Sequence, residues 1–490
     1  MNPIRKRALA VLCAAALLSS GVPALAAESS NPGISVQLDG EMLTFTDAAP
    51  EAVDGRTFLP VRAVFEAMGA QVSYDADTQT VTAVRDDTTV TMTLGSTEAT
   101  VTQYGLTTPV AMDVAPYAHD NRTYVPVRFA AQAFGCVVGW DQDDQTVILI
   151  DTGKLVEETL AKYDYSYLEA YAAYAQKYNE GVWDMDADWN ASLELGAALT
   201  GYEAAPITMS GTMDGTVADS SQLELAMTLL MDLRPLLESL MASEDGGMSA
   251  TDTELLEKLA EEGVAMQLRG DVEAGQLYLN LSGEFLEQGA GWSSDTWYLL
   301  DLSGLMELSG MNYSQVLQAA QKMDVKDLVA LLLTAVAEEP TDKDTAYAQL
   351  AAGVDLAAQL LRDDAFTANG SDRVLHYSTV VEGMDLSVTF TLSMDGEQVE
   401  GYALELTLAG TGDYEGMEMS LSASMDAKDQ MKADLALKAP ELLEMTMELT
   451  GAYAQGKTAP EIQPPEGAAV QDMLQLAGVT AIPEPTPTQP

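Results

Sequence analysis

His119, His376, Cys13 and Cys136 are the only side chains from which a neutral-pH base, a thiolate nucleophile or a soft-metal site could be drawn. His119 stands in a polar loop, AHDNR, and His376 in a strand-like run, VLHYST. Neither lies near a G-x-S-x-G elbow, and the chain has no H-E-x-x-H, C-x-x-C, P-loop or G-x-G-x-x-G followed by an acid. Among 76 acids, no pair is set apart by aromatic neighbours as a glycoside-cleaving pair would be. Asp184, Asp186 and Asp188 in DMDADW imitate the start of a calcium loop, but Trp189 and Leu195 stand where its glycine and late glutamate belong. The expectation is a non-catalytic chain with no cofactor and no metal.

What the chain does repeat is architectural. Gly55 to Val84 (GRTFLPVRAVFEAMGAQVSYDADTQTVTAV) aligns without a gap on Asn121 to Ile150 (NRTYVPVRFAAQAFGCVVGWDQDDQTVILI). Asp47, Ala49 and Pro50 fall on Asp113, Ala115 and Pro116 at the same offset, so two whole blocks, 34–85 and 100–151, are expected. In each, a short β-branched and aromatic run stops at Pro60 or Pro126, whose fixed φ suits a first helical turn. Apolar residues then recur at helical spacing (Val61, Val64, Phe65, Met68; Val127, Ala131, Phe134) up to Gly69 or Gly135, a natural helix stop. Two alternating runs across an Asp-x-Asp turn complete a hairpin. Arg62 and Arg128 occupy matching helical positions. They could bind an anionic wall polymer; the plainer reading, adopted here, pairs them with the nearby acids Asp75, Asp77, Asp141 and Asp143.

GRTFLPVR with MGAQVSYD, and NRTYVPVR with FGCVVGWD, resemble the copper amine oxidase N-terminal domain, or stalk module, over residues 34–151. The resemblance implies a small antiparallel sheet wrapped around a helix. It does not extend to copper chemistry: such oxidases hold copper with three histidines and convert a tyrosine to a quinone, whereas this chain has two histidines in all.

The first 26 residues have the layout of a secretory signal: Arg5, Lys6 and Arg7, an apolar run from Ala8 to Leu18, and Ala24-Leu25-Ala26 at the cleavage site. Its removal takes Cys13 and leaves Cys136 alone, so no intrachain disulfide is expected and Cys136 reads as a packed thiol. With 23 basic against 76 acidic residues, a formal charge of −53, the chain repels nucleic acid and anionic lipid headgroups. Export and this acidic surface suit a secreted or envelope-associated protein of a Gram-positive cell, with no membrane span left after the signal is removed.

From 153 to 179 the pattern predicts one connector helix whose Tyr163, Tyr167, Tyr171, Tyr174 and Tyr178 form a stripe, read as a buried seam. From 184 to 455 the period drops to two over many runs, with helical stretches between the early and late runs, among them Lys343 to Arg362. The predicted class is therefore α+β: tandem stalk-type repeats, then a large curved antiparallel sheet whose apolar face the helices cover. Residues 456–490, rich in Pro and Thr, read as an extended tail. Strand order and the phrase QLYLNLSGEFLEQGAGWSSDTWYLLDLSGL resemble the LolA and LppX group of envelope carriers, which hold a lipid or acyl chain under helices. Methionine suits a surface that repacks around varied guests, which makes Met209, Met213, Met227, Phe390, Met394, Met419, Met445 and Met447 the lining of a candidate apolar cavity. Two functions follow. The first is a non-catalytic envelope binding or scaffold protein whose partner is a cell-wall or surface component. The alternative is a carrier of a lipid, acyl chain or lipoprotein.

Overall fold

The computed structural model describes residues 33–476 apart from 54, 201–204, 242–248, 290, 309–312, 315, 318–329, 331–338 and 382. The signal segment 1–26, most of the two further helical stretches that the periodicity predicts over 313–323 and 325–338, and the last residues of the tail lie outside the described residues. The chain divides into two compact units, 1–164 with 314–362, and 165–313 with 363–490. Both mix strand and helix, with strand in excess.

At the centre of the first unit two short hairpins face each other: Glu51–Val53 with Arg56–Pro60, and Tyr117–His119 with Arg122–Pro126. Their inner strands pair antiparallel, Leu59 opposite Val125. Each inner strand runs through its proline into a short helix, Val61–Ala67 or Val127–Gln132. Gly69 and Gly135 then turn the chain at φ +83° and +72°, a left-handed conformation that glycine adopts without steric cost.

The hairpins that follow, Gln71–Asp75 with Thr80–Arg85 and Cys136–Asp141 with Thr146–Asp151, are completed crosswise. Ser35–Leu38, from the opening of the chain, lies parallel to Thr146–Asp151. Thr80–Arg85 reaches Glu98–Gln103 through an interposed strand, Thr88–Thr93. Sixty-six positions after that interposed strand the chain forms a helix, Thr152–Leu160, instead. The core of the unit, with Val36, Leu59, Phe65, Val90 and Leu149 at 0% exposure, is thus closed by segments far apart in sequence.

A further segment belongs here that the sequence had assigned elsewhere. The helix Ala346–Leu361 was expected to cover the large sheet; it packs Ala346, Leu350 and Val354 on Val137, Ile148, Ile150, Leu155 and Val156. The Trp140 amide donates to the Pro340 carbonyl and the Lys343 amide to Asp141. All six residues of Thr146–Asp151 are buried, because both faces of that strand are covered.

Among the described residues the second unit is built on one sheet of fourteen strands. In order they are Phe366–Asn369, Asp372–Val381, Met384–Asp395, Gln398–Gly410, Glu418–Met425, Gln430–Ala439, Leu443–Gln455, Val182–Leu195, Ile207–Ala218, Gln222–Asp232, Val264–Asp271, Gln276–Ser282, Thr296–Asp301 and Ala469–Asp472. Every join is antiparallel except the last. Part of the expected tail is therefore structural: Ala469–Asp472 forms an edge strand, and Glu461 pairs with Arg269. Among the described residues, no helix is long and apolar enough to cross a membrane.

The expected single connector helix is two. Thr152–Leu160 ends in the first unit, and Ser166–Gln176 begins in the second with a three-residue 3-10 turn after it. The break is stabilised at the start of the new helix, where Asp363 accepts from the Tyr167 amide and the Ser166 hydroxyl. A carboxylate at a helix N-terminus meets the N–H groups that have no intrahelical partner. The tyrosine stripe divides with the helix. Tyr163 donates to Asp355, while Tyr167, Tyr171, Tyr174 and Tyr178 pack with Phe366, Phe390, Tyr402 and Tyr453.

Candidate functional site

In the first unit the charged residues meet by matched position. Arg56 and Arg122 stand 66 positions apart, as do Asp47 and Asp113, and each arginine pairs with the acid of the other half. Arg56 Nε lies 2.7 Å from Asp113, and Arg122 donates twice to Asp47 at 2.5 and 2.7 Å. The bonds from Arg122 hold the Asp47 carboxyl below its ordinary pKa. Glu51 and Tyr117 are also 66 apart, and Tyr117 donates to Glu51 at 2.8 Å. His119 Nδ1 lies 2.9 Å from the same carboxylate, which lowers Glu51 and raises His119.

The deepest such contact lies between Arg85 and Asp151, again 66 apart. Arg85 Nη1 donates to Asp151 Oδ2 at 2.5 Å and to the Met68 carbonyl at 3.3 Å; Nη2 donates to the Phe134 carbonyl at 2.9 Å. Met68 and Phe134 are themselves matched positions at the ends of the two short helices, whose last carbonyls lack intrahelical donors. The guanidinium also lies 5.2 Å from the Phe134 ring centre. One cation therefore serves both helix ends. Arg85 was not singled out from the sequence, although an arginine and an aspartate at one repeat position were visible there.

Arg62 and Arg128 do not make the ion pairs expected of them. Arg62 lies 3.7 Å from Glu66 on its own helix, Arg128 lies 3.2 Å from Glu339, and both are exposed. Asp75 and Asp141 instead accept the amides of Asp77 and Thr78, and of Asp143 and Asp144, closing their own turns. The turn amides hold the Asp75 carboxyl below its ordinary range. Pro60, Pro126, Gly69 and Gly135 occupy the helix starts and stops.

In the second unit the registers place all eight candidate cavity residues on one face. Met209 and Met447 flank Ala191, Met445 lies opposite Leu193, Met213 opposite Met227, and Met419 opposite Leu437. Phe390 and Met394 lie in the cluster packed under the tyrosine helix, where Leu392 is fully buried. The other six are half-buried. On the opposite face, Asp184, Asp186 and Asp188 alternate along one strand, so they cannot wrap an ion as a calcium loop would. Asp184 accepts from the Thr216 hydroxyl at 2.8 Å. Two open grooves of about 640 and 550 Å³ adjoin there and share Asp184, Thr216 and Glu224. Arg269 borders the larger, held by Glu224 at 2.8 Å and Glu461 at 2.6 Å.

His119 and His376 lie in different units, and His376 Nδ1 lies 3.1 Å from the Thr389 hydroxyl. Cys136 is buried, which raises its thiol well above the ordinary range. Among the described residues no three His, Cys, Asp or Glu side chains are grouped to hold a metal.

Residues 37–149 match the family described as copper amine oxidase N-terminal domain. No curated protein matches the chain significantly. The solved structures similar to it include these two. One is a DUF1329 family protein from Desulfovibrio piger, 10% identical, at TM-score 0.19 over 60% of this chain and 95% of that one. The other is a mutant porin of Rh. blastica, 10% identical, at TM-score 0.11 over 56% and 75%. At these scores neither likeness carries an argument. Neither is a LolA or LppX carrier, so that resemblance stays a reading of the sequence.

Proposed function

We propose that the protein is exported and works at the cell envelope as a non-catalytic binding or scaffold protein. The observation that supports this reading is the use made of the charged repeat residues. Arg56, Arg85 and Arg122 are committed to Asp113, Asp151 and Asp47 inside the module, in roles that hold a fold together. A stalk-type module of this kind presents surface. The partner would be an uncharged or cationic wall or surface component, since a chain at −53 repels anions. The test has two arms: fractionation of the producing cells, and co-sedimentation of the purified chain from Ala27 onward with isolated wall material. Recovery in the envelope or medium together with saturable sedimentation is the expected result; a cytosolic location, or turnover of a glycan or amine substrate, overturns it.

The half-buried, methionine-rich face of the large sheet favours a second reading, a carrier of an acyl chain or lipoprotein. Met209, Met213, Met227, Met419, Met445 and Met447 would repack around a guest, as flexible thioethers do. Solvent extraction and native mass spectrometry separate the two readings. A stoichiometric lipid supports the carrier, and a clean apoprotein supports the scaffold.

A further inference from the structure

We infer that the Arg85–Asp151 contact is what makes the two unlike halves of the first unit pair, and that the direction of the contact is interchangeable. The argument rests on matched positions. Arg85 and Asp151 occupy one repeat position, and the two other acceptors of Arg85, the carbonyls of Met68 and Phe134, occupy another. Exchanging the halves maps this acceptor set onto itself. An arginine delivered from position 151 onto an aspartate at position 85 would find the same two helix ends and the same partner. Two like halves would instead set arginine against arginine or aspartate against aspartate, at sites only 20% and 6% exposed. Like charges so placed, each without a counter-ion, are strongly disfavoured.

The exchange is imperfect at two places. The Phe134 ring 5.2 Å from the Arg85 guanidinium has Met68 as its counterpart, so an arginine at position 151 loses that ring contact. Asp151 also caps the helix Thr152–Leu160, accepting the Lys154 amide at 3.1 Å, and an arginine there gives up that cap. Recovery should therefore be large but incomplete.

Cys136 supplies the readout. It is 1% exposed in this module and, once the signal is removed, is the only cysteine. Its labelling rate in sub-denaturing urea, taken relative to the same variant's rate when fully unfolded because Asp151 and Arg85 both act on this thiol, reports opening of the first unit in the chain from Ala27 onward. R85D and D151R should each label faster by a factor on the order of a hundred, the effect of leaving one buried charge without its partner. R85D/D151R should return to within about tenfold of the parent, the remainder being the lost helix cap and the lost ring contact. If either single variant is insoluble while the double is soluble, the exchange is equally supported. The inference is overturned if the double labels as fast as the quicker single, if it is insoluble, or if both singles label like the parent. It is overturned too if the apolar pair R85M/D151L labels as slowly as the exchange, since complementary charge would then be unnecessary.

Discussion

The two units use the same alternating pattern and bury it to different depths. In the first, strands join crosswise between segments far apart in sequence, and Leu59, Phe65, Ile148 and Leu149 are fully buried. In the second, all but two of the joins in the fourteen-stranded sheet link strands that follow one another in the chain. The central methionines of that sheet stay half-buried. Alternation therefore specifies which face is apolar, whereas the depth of burial depends on what arrives to cover it. The matched strands make this plainest. Thr80–Arg85 (TVTAVR) leaves Val84 41% exposed, while Thr146–Asp151 (TVILID) buries Ile150 at 1% because the helix Ala346–Leu361 lies over it.

The sharpest way to break this contrast is to truncate one residue in each unit. Phe65→Ala should cost about 3–5 kcal/mol as a cavity in a closed core, and Met447→Ala only about 1 kcal/mol on a half-open face. Urea unfolding, with Cys136 labelling for the first unit and tryptophan fluorescence in a Trp140→Phe background for the second, where Trp183, Trp189, Trp292 and Trp297 all lie, reads the two; equal costs would erase the distinction. Val354→Asp comes next: a carboxylate at 4% exposure between helix and strand should destabilise the first unit by about 3 kcal/mol and leave the second unit's transition in place. Loss of both transitions together would mean that the helix supports more than the strand beneath it.

A matched pair sharpens the same point on a finer scale. Ile150→Thr should cost about 1–3 kcal/mol and Val84→Thr less than about 0.5 kcal/mol, since the repeat position is the same and only the cover differs. Calorimetry of the two variants checks it, and similar shifts in Tm would count against cover as the deciding factor.

The smallest effect is pH-dependent. His119 is raised above 6.5, first by its bond to Glu51, so its contribution is complete below 6.5 and is lost as pH rises through the raised value. Glu51 is lowered below 4.5, first by its bond to His119, so on the acid side the contribution is lost as pH falls through the lowered value. The stability difference between the parent and His119→Gln should accordingly be greatest between pH 4.5 and 6.5 and should fade as pH rises through the raised His119 value; a flat difference would remove the contact from the account.

Much of the first unit was legible from spacing. The prolines, the glycines and the Asp-x-Asp turns are local devices, and each acts within a few residues of itself. The crosswise joining was not legible, because a strand edge accepts any partner of suitable register. Even so, two cues lay in the letters. VILI in place of VTAV is a continuous apolar run, the mark of a strand covered on both faces. Arginine at 85 against aspartate at 151 breaks the repeat with opposite charges, which is what two positions in contact would show. In the second unit the Met-bearing face followed from period-two alternation. The division of that face into a corner filled by tyrosines and a half-open centre did not, because it depends on where Ser166–Gln176 comes to rest.

By itself the sequence determined the local elements, their amphipathic faces and the doubling of one block, since these follow from backbone preferences and side-chain period over short range. The tertiary structure decided which strand meets which, that a helix from beyond residue 340 seals the first unit, and that one arginine serves two helix ends. Those outcomes depend on contacts between residues tens to hundreds of positions apart, whose free energy is realised only when the whole surface closes and which no local window of the chain contains.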